Sequence, residues 1–199
     1  MFGFLMARLV TANLYMTLDG YGECPKYPGS DIRPMKPDDQ FLDMWVKRYK
    51  SVDTVVFGRR SFEGHFNHFS EERLSARSAP KYLFDYRHWL DNAQKVVLSH
   101  KLTKPSWQNS RVMKGDLARV MARLRREPGK DIIVDGGPSV VQECMQRGLA
   151  DDYRVVISPV VYGRGKHYWA SMLKQVTLKL RSFKTLRAGE LLLHYEAVR

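Results

Sequence analysis

One short segment of this chain combines residue types that bind phosphate. Residues 131–141 read Asp-Ile-Ile-Val-Asp-Gly-Gly-Pro-Ser-Val-Val, which predicts a buried strand, a turn at Gly136 and Gly137, and a helix with Pro138 in its first turn. Such a turn aims backbone N–H groups and a helix N-terminus at one point, where a nucleotide pyrophosphate can bind. An ordinary strand-to-helix turn explains the same letters, because two adjacent glycines are a weak signature.

Two other predicted strands end in residues that suit a phosphate monoester. Arg59 and Arg60 follow Gly58, and Ser99 ends the strand at residues 95–99. Guanidinium groups donate in bidentate pairs to phosphate, and an arginine near such a turn favours the 2′-phosphate of NADP over NAD. A solvated arginine pair and a strand-end turn are the alternatives for each feature alone. Together with the glycine turn, they favour NADPH as the cofactor.

The elements that position these residues alternate between strand and helix along most of the chain. Apolar and β-branched runs predict strands at residues 9–18, 54–57, 95–99, 111–113, 131–134, 152–161, 176–186 and 191–198. Helices are predicted over residues 41–50, from residue 61 to 69, from an Asp116 cap to residue 126, and from Pro138 to a Gly148 C-cap. Pro159 suggests an edge strand or a bulge in the strand at 152–161.

This order predicts an α/β fold. The central sheet is mostly parallel, helices lie on both faces, and antiparallel C-terminal strands form one edge. Residues 7–199 form one domain in this interpretation, and residues 1–6 are a disordered segment or an extension. In such a sheet, ligands bind outside the carboxyl ends of the strands, where the three phosphate-binding segments meet.

Composition narrows the class of protein. The chain has 199 residues and a net charge of +12, with basic residues scattered rather than concentrated in one tract. An excess of positive charge favours anionic ligands, and we expect a small-molecule substrate rather than a nucleic acid. No apolar run is long enough to span a membrane. Cys24 and Cys144 lack metal-ligand spacing, so we expect free thiols in the cytoplasm and no metal site.

Several segments resemble the dihydrofolate reductase-like superfamily, in particular the C-terminal reductase domain of the bifunctional riboflavin-biosynthesis deaminase-reductase (RibD C-terminal-like). They occur in family order from about residue 7 to the C-terminus. They are Met-Thr-Leu-Asp-Gly at 16–20, Val-Phe-Gly-Arg-Arg-Ser-Phe-Glu at 56–63, Lys-Val-Val-Leu-Ser at 95–99, residues 131–141, Gly-Leu-Ala-Asp-Asp at 148–152 and Pro-Val-Val-Tyr-Gly-Arg-Gly at 159–165.

The resemblance implies a dihydrofolate reductase-like three-layer α/β/α sandwich, with NADPH across the strand ends of a central mixed sheet. It also implies a homodimer. By position, the residues that flank the nicotinamide are Ala12, Leu18, Asp19 and Gly20. Those on the side of the adenosine 2′-phosphate are Gly58, Arg59, Arg60, Ser61, Leu98, Ser99, His100 and Lys114. Those at the pyrophosphate turn are Asp135, Gly136, Gly137, Pro138, Ser139 and Val140.

The source of the proton is less defined by sequence. Dihydrofolate reductases carry a buried acid on their first helix, and Asp43 lies near the equivalent place, with Asp39 as its competitor. A cap or a solvated residue is the alternative role for either aspartate. A hydroxyl such as that of Thr17, or water, is the other candidate proton donor. Residues 21–37, rich in proline and glycine, predict a long ordered loop.

The implied function is an NADPH-dependent reductase that transfers hydride to a small heterocyclic or ribosylaminopyrimidine-type substrate, of the 5-amino-6-(5-phosphoribosylamino)uracil reductase type. The chain departs from that pattern, since it has no His-x-x-Arg run before the second strand and no Asp-x-Pro after Gly58. Dihydrofolate reductase activity and a non-catalytic NADPH-binding protein are therefore alternatives. The aromatic stretch of Tyr82, Phe84, Tyr86 and Trp89 is interpreted either as the wall of a ring-binding pocket or as core or subunit contact.

Overall fold

The structure is a computed structural model that describes residues 8–23, 47–69 and 81–198. Its strands are β1 (Val10–Thr17), β2 (Tyr21–Glu23), β3 (Val52–Gly58), β4 (Gln94–Leu98), β5 (Ser110–Met113), β6 (Asp131–Val134), β7 (Asp152–Ser158), β8 (Lys166–His167), β9 (Leu178–Thr185) and β10 (Leu191–Ala197). Its helices are α1 (Arg59–His68), α2 (Lys81–Asn92), α3 (Leu117–Arg126) and α4 (Pro138–Gln146). Residues 47–49 are also helical, within the helix predicted at 41–50.

Eight of the strands form one sheet in the order β5-β4-β3-β6-β1-β7-β10-β9. Strands β5, β4, β3, β6, β1 and β7 run parallel to one another, whereas β10 is antiparallel to both β7 and β9. The predicted fold class is therefore confirmed, including the antiparallel C-terminal edge. Strands β2 and β8 pair as a separate two-stranded sheet, which the sequence patterns did not predict.

The strand order reverses at the centre of the sheet. The chain passes from β1 outward to β3, β4 and β5, and then returns with β6, which lies between β3 and β1. The carboxyl ends of β1, β6 and β3 are consequently neighbours at the same sheet edge. Ligands of open α/β sheets bind at such a reversal of strand order.

The two sheet faces carry separate apolar cores. Helices α3 and α4 cover the face that presents Val10, Ala12 and Leu14 from β1, all of them almost fully buried. The opposite face presents Val55 and Phe57, and its core includes side chains from α1, α2 and the 47–49 segment. Apolar side chains therefore project from both faces of β3 and β6, so residues 55–57 and 132–134 are continuous hydrophobic runs.

Helix α2 is absent from the sequence-based assignment. Its aromatic stretch belongs mostly to the core: Tyr86 is buried, and the Trp89 ring stacks on Tyr49 with ring centroids 3.9 Å apart. Two ion pairs at i,i+4 spacing, Lys81–Asp85 and Arg87–Asp91, mark its helical period. Of the two interpretations of this aromatic stretch, packing in the core is the one that applies to Tyr86 and Trp89, although Phe84 is exposed.

The expectation for Pro159 was wrong. Strand β7 pairs with β1 on one side and with β10 on the other, so it is an internal strand. The last paired residue is Ser158, opposite Thr17, and Pro159 lies beyond it. Proline lacks an N–H group for the ladder, so it ends the strand here instead of marking an edge.

The described residues hold neither a membrane-spanning helix nor a metal cluster. None of the helices in residues 8–23, 47–69 and 81–198 has the length and apolar character needed to cross a bilayer. The same part of the chain holds no group of three His, Cys, Asp or Glu side chains placed to bind a metal ion. Cys144 is a buried free thiol, and burial raises its pKa to about 12. Cys24 lies outside the described residues.

Candidate functional site

The ends of β3 and β6 approach each other so closely that only glycine fits between them. A Cβ atom at Gly58 would lie 2.9 Å from the carbonyl oxygen of Gly136. The Asp135 N–H also donates to the Val56 carbonyl oxygen at 2.9 Å, and this hydrogen bond holds the ends of β3 and β6 in register. The group that approaches Gly58 is therefore the backbone of the neighbouring turn.

The two glycines of the β6–α4 turn have different roles. A Cβ at Gly136 would lie 2.5 Å from the Cβ of Val140, so this position permits α4 to pack against the turn. Gly137 is the N-cap of α4 and has φ +73° and ψ 175°, a combination essentially restricted to glycine. A Cβ there would lie 2.7 Å from Ser61 Oγ, which shows that the first turn of α1 adjoins the turn.

Helices α1 and α4 both begin at this edge without a side chain to cap them. Their N-caps are Gly58 and Gly137, and neither helix has an acidic residue in its first turn. Helix α3 differs, because its N-cap Asp116 accepts a hydrogen bond from the Arg119 N–H at 3.0 Å. The N-cap residues of α1 and α4 thus supply no side-chain acceptor for the first N–H groups of these helices, as the phosphate-binding prediction requires.

Positive side chains accompany these helix ends. Arg59 is half-exposed and forms an ion pair with Glu63 at 2.8 Å, whereas Arg60 is exposed. At the end of β4, Ser99 Oγ accepts hydrogen bonds from the backbone N–H groups of Lys101 and Leu102 at 3.1 and 2.9 Å. The remaining residues predicted on this side are half-buried Leu98, exposed His100 and exposed Lys114. Of these two arginines, Arg59 is paired with Glu63, whereas the guanidinium of Arg60 is exposed to solvent.

The end of β1 is held by Asp19. Its carboxylate accepts hydrogen bonds from the Thr17 hydroxyl at 2.6 Å and from the backbone N–H groups of Tyr162 and Gly163 at 3.0 and 2.7 Å. These contacts lower the pKa of Asp19, with the Thr17 hydroxyl the largest cause and burial opposing them. The Thr17 hydroxyl, which the sequence suggested as a proton donor to the substrate, therefore donates its proton in a structural hydrogen bond to Asp19.

The other residues predicted near the nicotinamide differ in exposure. Ala12 is fully buried in the middle of β1 and its methyl group packs in the α3–α4 core. Leu18 is exposed at the strand end, and Gly20 has φ +87° with the His167 ring directly above it. At the pyrophosphate turn, Pro138 is buried, Val140 is half-buried and Ser139 is exposed. Asp43 and its competitor Asp39 lie outside the described residues.

Asp135 and His65 form a pair that the sequence analysis did not identify. His65 Nδ1 lies 2.8 Å from the Ser61 carbonyl oxygen, which only accepts, so Nδ1 carries a proton. His65 Nε2 then faces the Asp135 carboxylate, 3.7 Å away. Burial raises the pKa of Asp135, and His65 opposes that shift. The pair can hold one further proton at the carboxyl end of β6, and only the contact between α1 and β6 reveals it.

Glu23 is a second residue that sequence reasoning missed. Its Oε1 atom lies 3.3 Å from the point that a Cβ of Gly137 would occupy, so its carboxylate lies beside the first turn of α4. The pairing of β2 with β8 brings it there from a distant part of the sequence. A negative charge at this helix N-terminus occupies the neighbourhood predicted for the pyrophosphate.

Comparison with known proteins agrees with this architecture. Residues 8–192 match the RibD C-terminal domain family. The uncharacterized protein YyaP of Bacillus subtilis (strain 168) is 30% identical over 188 residues, which are 93% of this chain and 93% of YyaP.

Two solved structures share the fold. One, from Shewanella sp. PV-4 and assigned by name to riboflavin biosynthesis, has a TM-score of 0.69 at 18% identity, covering 98% of this chain and 100% of that one. The other is dihydrofolate reductase from Enterococcus faecalis complexed with NADP(H), with a TM-score of 0.60 at 13% identity and coverage of 98% and 100%. The fold is thus dihydrofolate reductase-like, and the chain belongs to the RibD C-terminal domain family.

Proposed function

We propose that this protein is an NADPH-dependent reductase whose cofactor lies along the carboxyl ends of β3, β4 and β6. The observation that carries the proposal is the pair of adjacent helix N-termini, α1 and α4, both capped by glycine and both lacking an acidic residue in the first turn. A pyrophosphate suits the N–H groups at Gly137, and a 2′-phosphate suits the end of α1 beside Arg59 and Arg60. When bound, NADPH supplies the hydride.

The protein's own groups orient the reactants and manage the proton. The Gly58–Gly136 contact fixes the relative position of α1 and α4, so both phosphate seats are preorganised. For the proton we propose Asp135 with His65, since a carboxyl whose pKa is raised by burial holds a proton more readily at neutral pH. Asp43 remains the competing prediction for this role.

The substrate we propose is a small heterocycle, of the ribosylaminopyrimidine type that the family's place in riboflavin biosynthesis suggests. Dihydrofolate is the second candidate, supported by the shared fold with dihydrofolate reductase. Turnover separates both from a non-catalytic NADPH-binding protein, which would bind the cofactor and oxidise it with neither compound. The buried free thiol of Cys144 is consistent with a cytoplasmic site of action.

The test is a fluorescence titration of the wild-type protein with NADPH and NADH, repeated for Arg60→Ala and Arg59→Ala. We expect tight NADPH binding, weaker NADH binding, and at least tenfold weaker NADPH binding in Arg60→Ala, with NADH almost unaffected. The control is Arg126→Ala, because Arg126 is exposed at the C-terminal end of α3, which leads to the start of β6 and not to its carboxyl end. Equal affinity for both cofactors in the wild type, or no binding of either, would refute the proposal.

We also propose that the protein is a homodimer formed through β9. This strand is the outer edge of the sheet, and its Leu180 and Phe183 side chains are 47% and 70% exposed. An exposed edge with large apolar side chains favours association with a second copy. Sedimentation of Phe183→Lys tests this, with Leu173→Lys as the control since Leu173 is 88% exposed elsewhere. A dimer that persists in Phe183→Lys would place the interface on another surface.

A further inference from the structure

The sheet face opposite α3 and α4 carries a row of polar side chains across three strands. Asn13 on β1 is in register with Arg154 on β7, which is in register with His194 on β10. Thr11 and Asp152 form the adjacent row. The other face of β1 is entirely apolar at the corresponding positions. Polar groups in the interior of a strand need hydrogen-bond partners, so each of these side chains requires one.

Asn13 lacks such a partner among the described residues. Asn13 is only 6% exposed. Neither its Oδ1 nor its Nδ2 atom has a hydrogen-bond partner in the part of the chain that the structure describes. A buried amide without partners lowers stability, because both its donors and its acceptor lose their bonds to water. A sequence that retains asparagine here, where leucine or valine would pack, indicates that something else bonds to the amide.

Two arginines beside Asn13 lack a counterion in the described part of the chain. Arg48 Nη2 donates to Thr11 Oγ1 at 2.9 Å, and the Nε atoms of Arg48 and Arg154 are buried without a partner there. Within residues 8–23, 47–69 and 81–198, neither guanidinium has a carboxylate at ion-pair distance. The nearby Asp152 carboxylate is bonded to His194 Nε2 at 2.8 Å.

Burial distinguishes Arg48 and Arg154 from other described arginines without an ion pair, because Arg60, Arg119, Arg126 and Arg187 are exposed to solvent. In the described chain, ion pairs to Asp or Glu are made by Arg8, Arg59, Arg87, Arg111, Arg123, Arg125, Arg147 and Arg181. Arg154 is half-buried, and its pKa falls to about 10 because of burial and the positive charge of Arg48. Among the described residues, the guanidinium groups of Arg48 and Arg154 have no carboxylate at ion-pair distance, and they lie near the Asn13 amide, which has no hydrogen-bond partner.

We propose that Asn13, Arg48 and Arg154 form a binding site for an oxyanion, a carboxylate or phosphate group carried by the molecule that the protein reduces. Guanidinium forks bind both groups in bidentate pairs, and the Asn13 amide supplies one more donor or acceptor. Arg48 and Arg154 are half-buried, so solvent reaches them. The existence of the site is independent of the proposed function. The assignment of its anion to the substrate rests on that function.

This site is distinct from the proposed cofactor phosphates. Along the strands the two sites are nearly level, because Ala12 is in register with Val134 and Val134 with Val56, which places Asn13 about one residue before the level of Gly58. They are separated across the sheet, since β6 and β1 lie between β3, which ends at Gly58, and β7, which carries Arg154. These three strand spacings amount to about 14 Å, so variants of Arg59 and Arg154 test the two sites separately.

The test is the thermal melting of the protein titrated with inorganic phosphate and, separately, with benzoate, at constant ionic strength in a buffer free of both. The proteins are the wild type, Arg154→Gln and Arg59→Gln. We expect one of the two anions to raise the melting temperature of the wild type and of Arg59→Gln, with binding at this site at least tenfold weaker in Arg154→Gln. Phosphate bound at the N-termini of α1 and α4 would instead weaken in Arg59→Gln and persist in Arg154→Gln. The anion that binds more tightly identifies the chemical class.

The proposal is overturned if neither anion stabilises the wild type, or if Arg154→Gln responds as the wild type does. A second variant, Asn13→Leu, separates binding from structure. We expect its melting temperature without anion to rise, because an unbonded buried amide is removed, while its response to the anion weakens. A fall in melting temperature would show that Asn13 is structural and would contradict the site. The NADPH titration of the wild type tests the proposed function independently.

Discussion

The Glu23 carboxylate lies beside Gly137, with Oε1 3.3 Å from the point that a Cβ of this glycine would occupy. Gly137 caps the N-terminus of α4, where the positive end of the helix faces an anion. The Glu23 carboxylate complements that positive end. A pyrophosphate bound at the same turn would meet the Glu23 charge at close range.

Glu23→Gln should therefore bind NADPH more tightly than the wild type. Removing one negative charge near a partly exposed anion is worth about 1 kcal/mol, which corresponds to roughly a fivefold lower dissociation constant. Fluorescence titration at low ionic strength measures it, with Glu143→Gln as the control because Glu143 pairs with Arg147 at the far end of α4. Unchanged affinity would show that the phosphates bind away from Glu23.

Gly137→Ala should lose both stability and NADPH binding. Its φ of +73° and ψ of 175° exclude a Cβ, which would also lie 2.7 Å from Ser61 Oγ. The backbone strain alone costs about 1–3 kcal/mol of unfolding free energy. Urea denaturation and NADPH titration measure the two effects.

Gly148→Ala is the matched control for that substitution. Gly148 also has positive φ, +62°, but a Cβ there would meet open space. We expect a smaller loss of stability of about 1 kcal/mol and no change in NADPH affinity. Equal losses in the two variants would show that backbone strain, not the contact with Ser61, decides the requirement for glycine at 137.

Asp19→Asn should lower the melting temperature in a pH-dependent way. The pKa of Asp19 is lowered by the Thr17 hydroxyl and by two backbone N–H groups, so its ionised form stabilises the fold. That stabilisation is present above the ordinary pKa of 3.8 and is lost as pH falls through the lower pKa of the folded state. The difference from the wild type should be largest near pH 7 and should narrow towards pH 3.

Thermal melting followed by circular dichroism measures this difference. The control is Asp85→Asn, because Asp85 pairs with Lys81 on the exposed side of α2. If Asp19→Asn is destabilised by the same amount from pH 7 to pH 3, the charge of the carboxylate does not stabilise the end of β1. The packing of the side chain would then be responsible.

Lys95 should make stability rise with pH in the alkaline range. It is fully buried, donates to the carbonyl oxygens of Leu90 and Ala93 at the end of α2, and lies 5.1 Å from the Trp107 ring. Burial lowers its pKa from 10.5 to about 8, so between these values the unfolded chain holds more protons than the folded one. The unfolding free energy should therefore increase with pH over this range.

The measurement compares the wild type with Lys95→Met by urea denaturation at pH 7 and pH 9.5. Relative to the variant, the wild type should gain about 2 kcal/mol at the higher pH, because a tenfold change in a proton-binding constant corresponds to about 1.4 kcal/mol. Lys81→Met, at an exposed position, should show no such difference. A constant gap between wild type and Lys95→Met would mean that Lys95 titrates near its ordinary value.

Local patterns were sufficient for most elements of the sheet. The strands at β1, β4 and β7 and the helix α3 follow from apolar runs and from the Asp116 cap, since burial on a sheet face and capping are encoded in neighbouring residues. Helix α2 was missed because its aromatic residues suggested a binding surface, although its ion pairs have helical spacing. Strands β2 and β8 are too short for a pattern, and they form only because each has the other as a partner.

The sequence by itself determined the glycine turns, the basic residues that follow them and the order of strands and helices. It did not determine which side chains meet. Tertiary structure brought His65 to Asp135 and Glu23 to Gly137, and it aligned Asn13 with Arg154 across more than a hundred residues. These contacts depend on strand register and on the packing of α1 against β3 and β4. A linear pattern carries little information about such contacts, because the residues involved are distant in the chain.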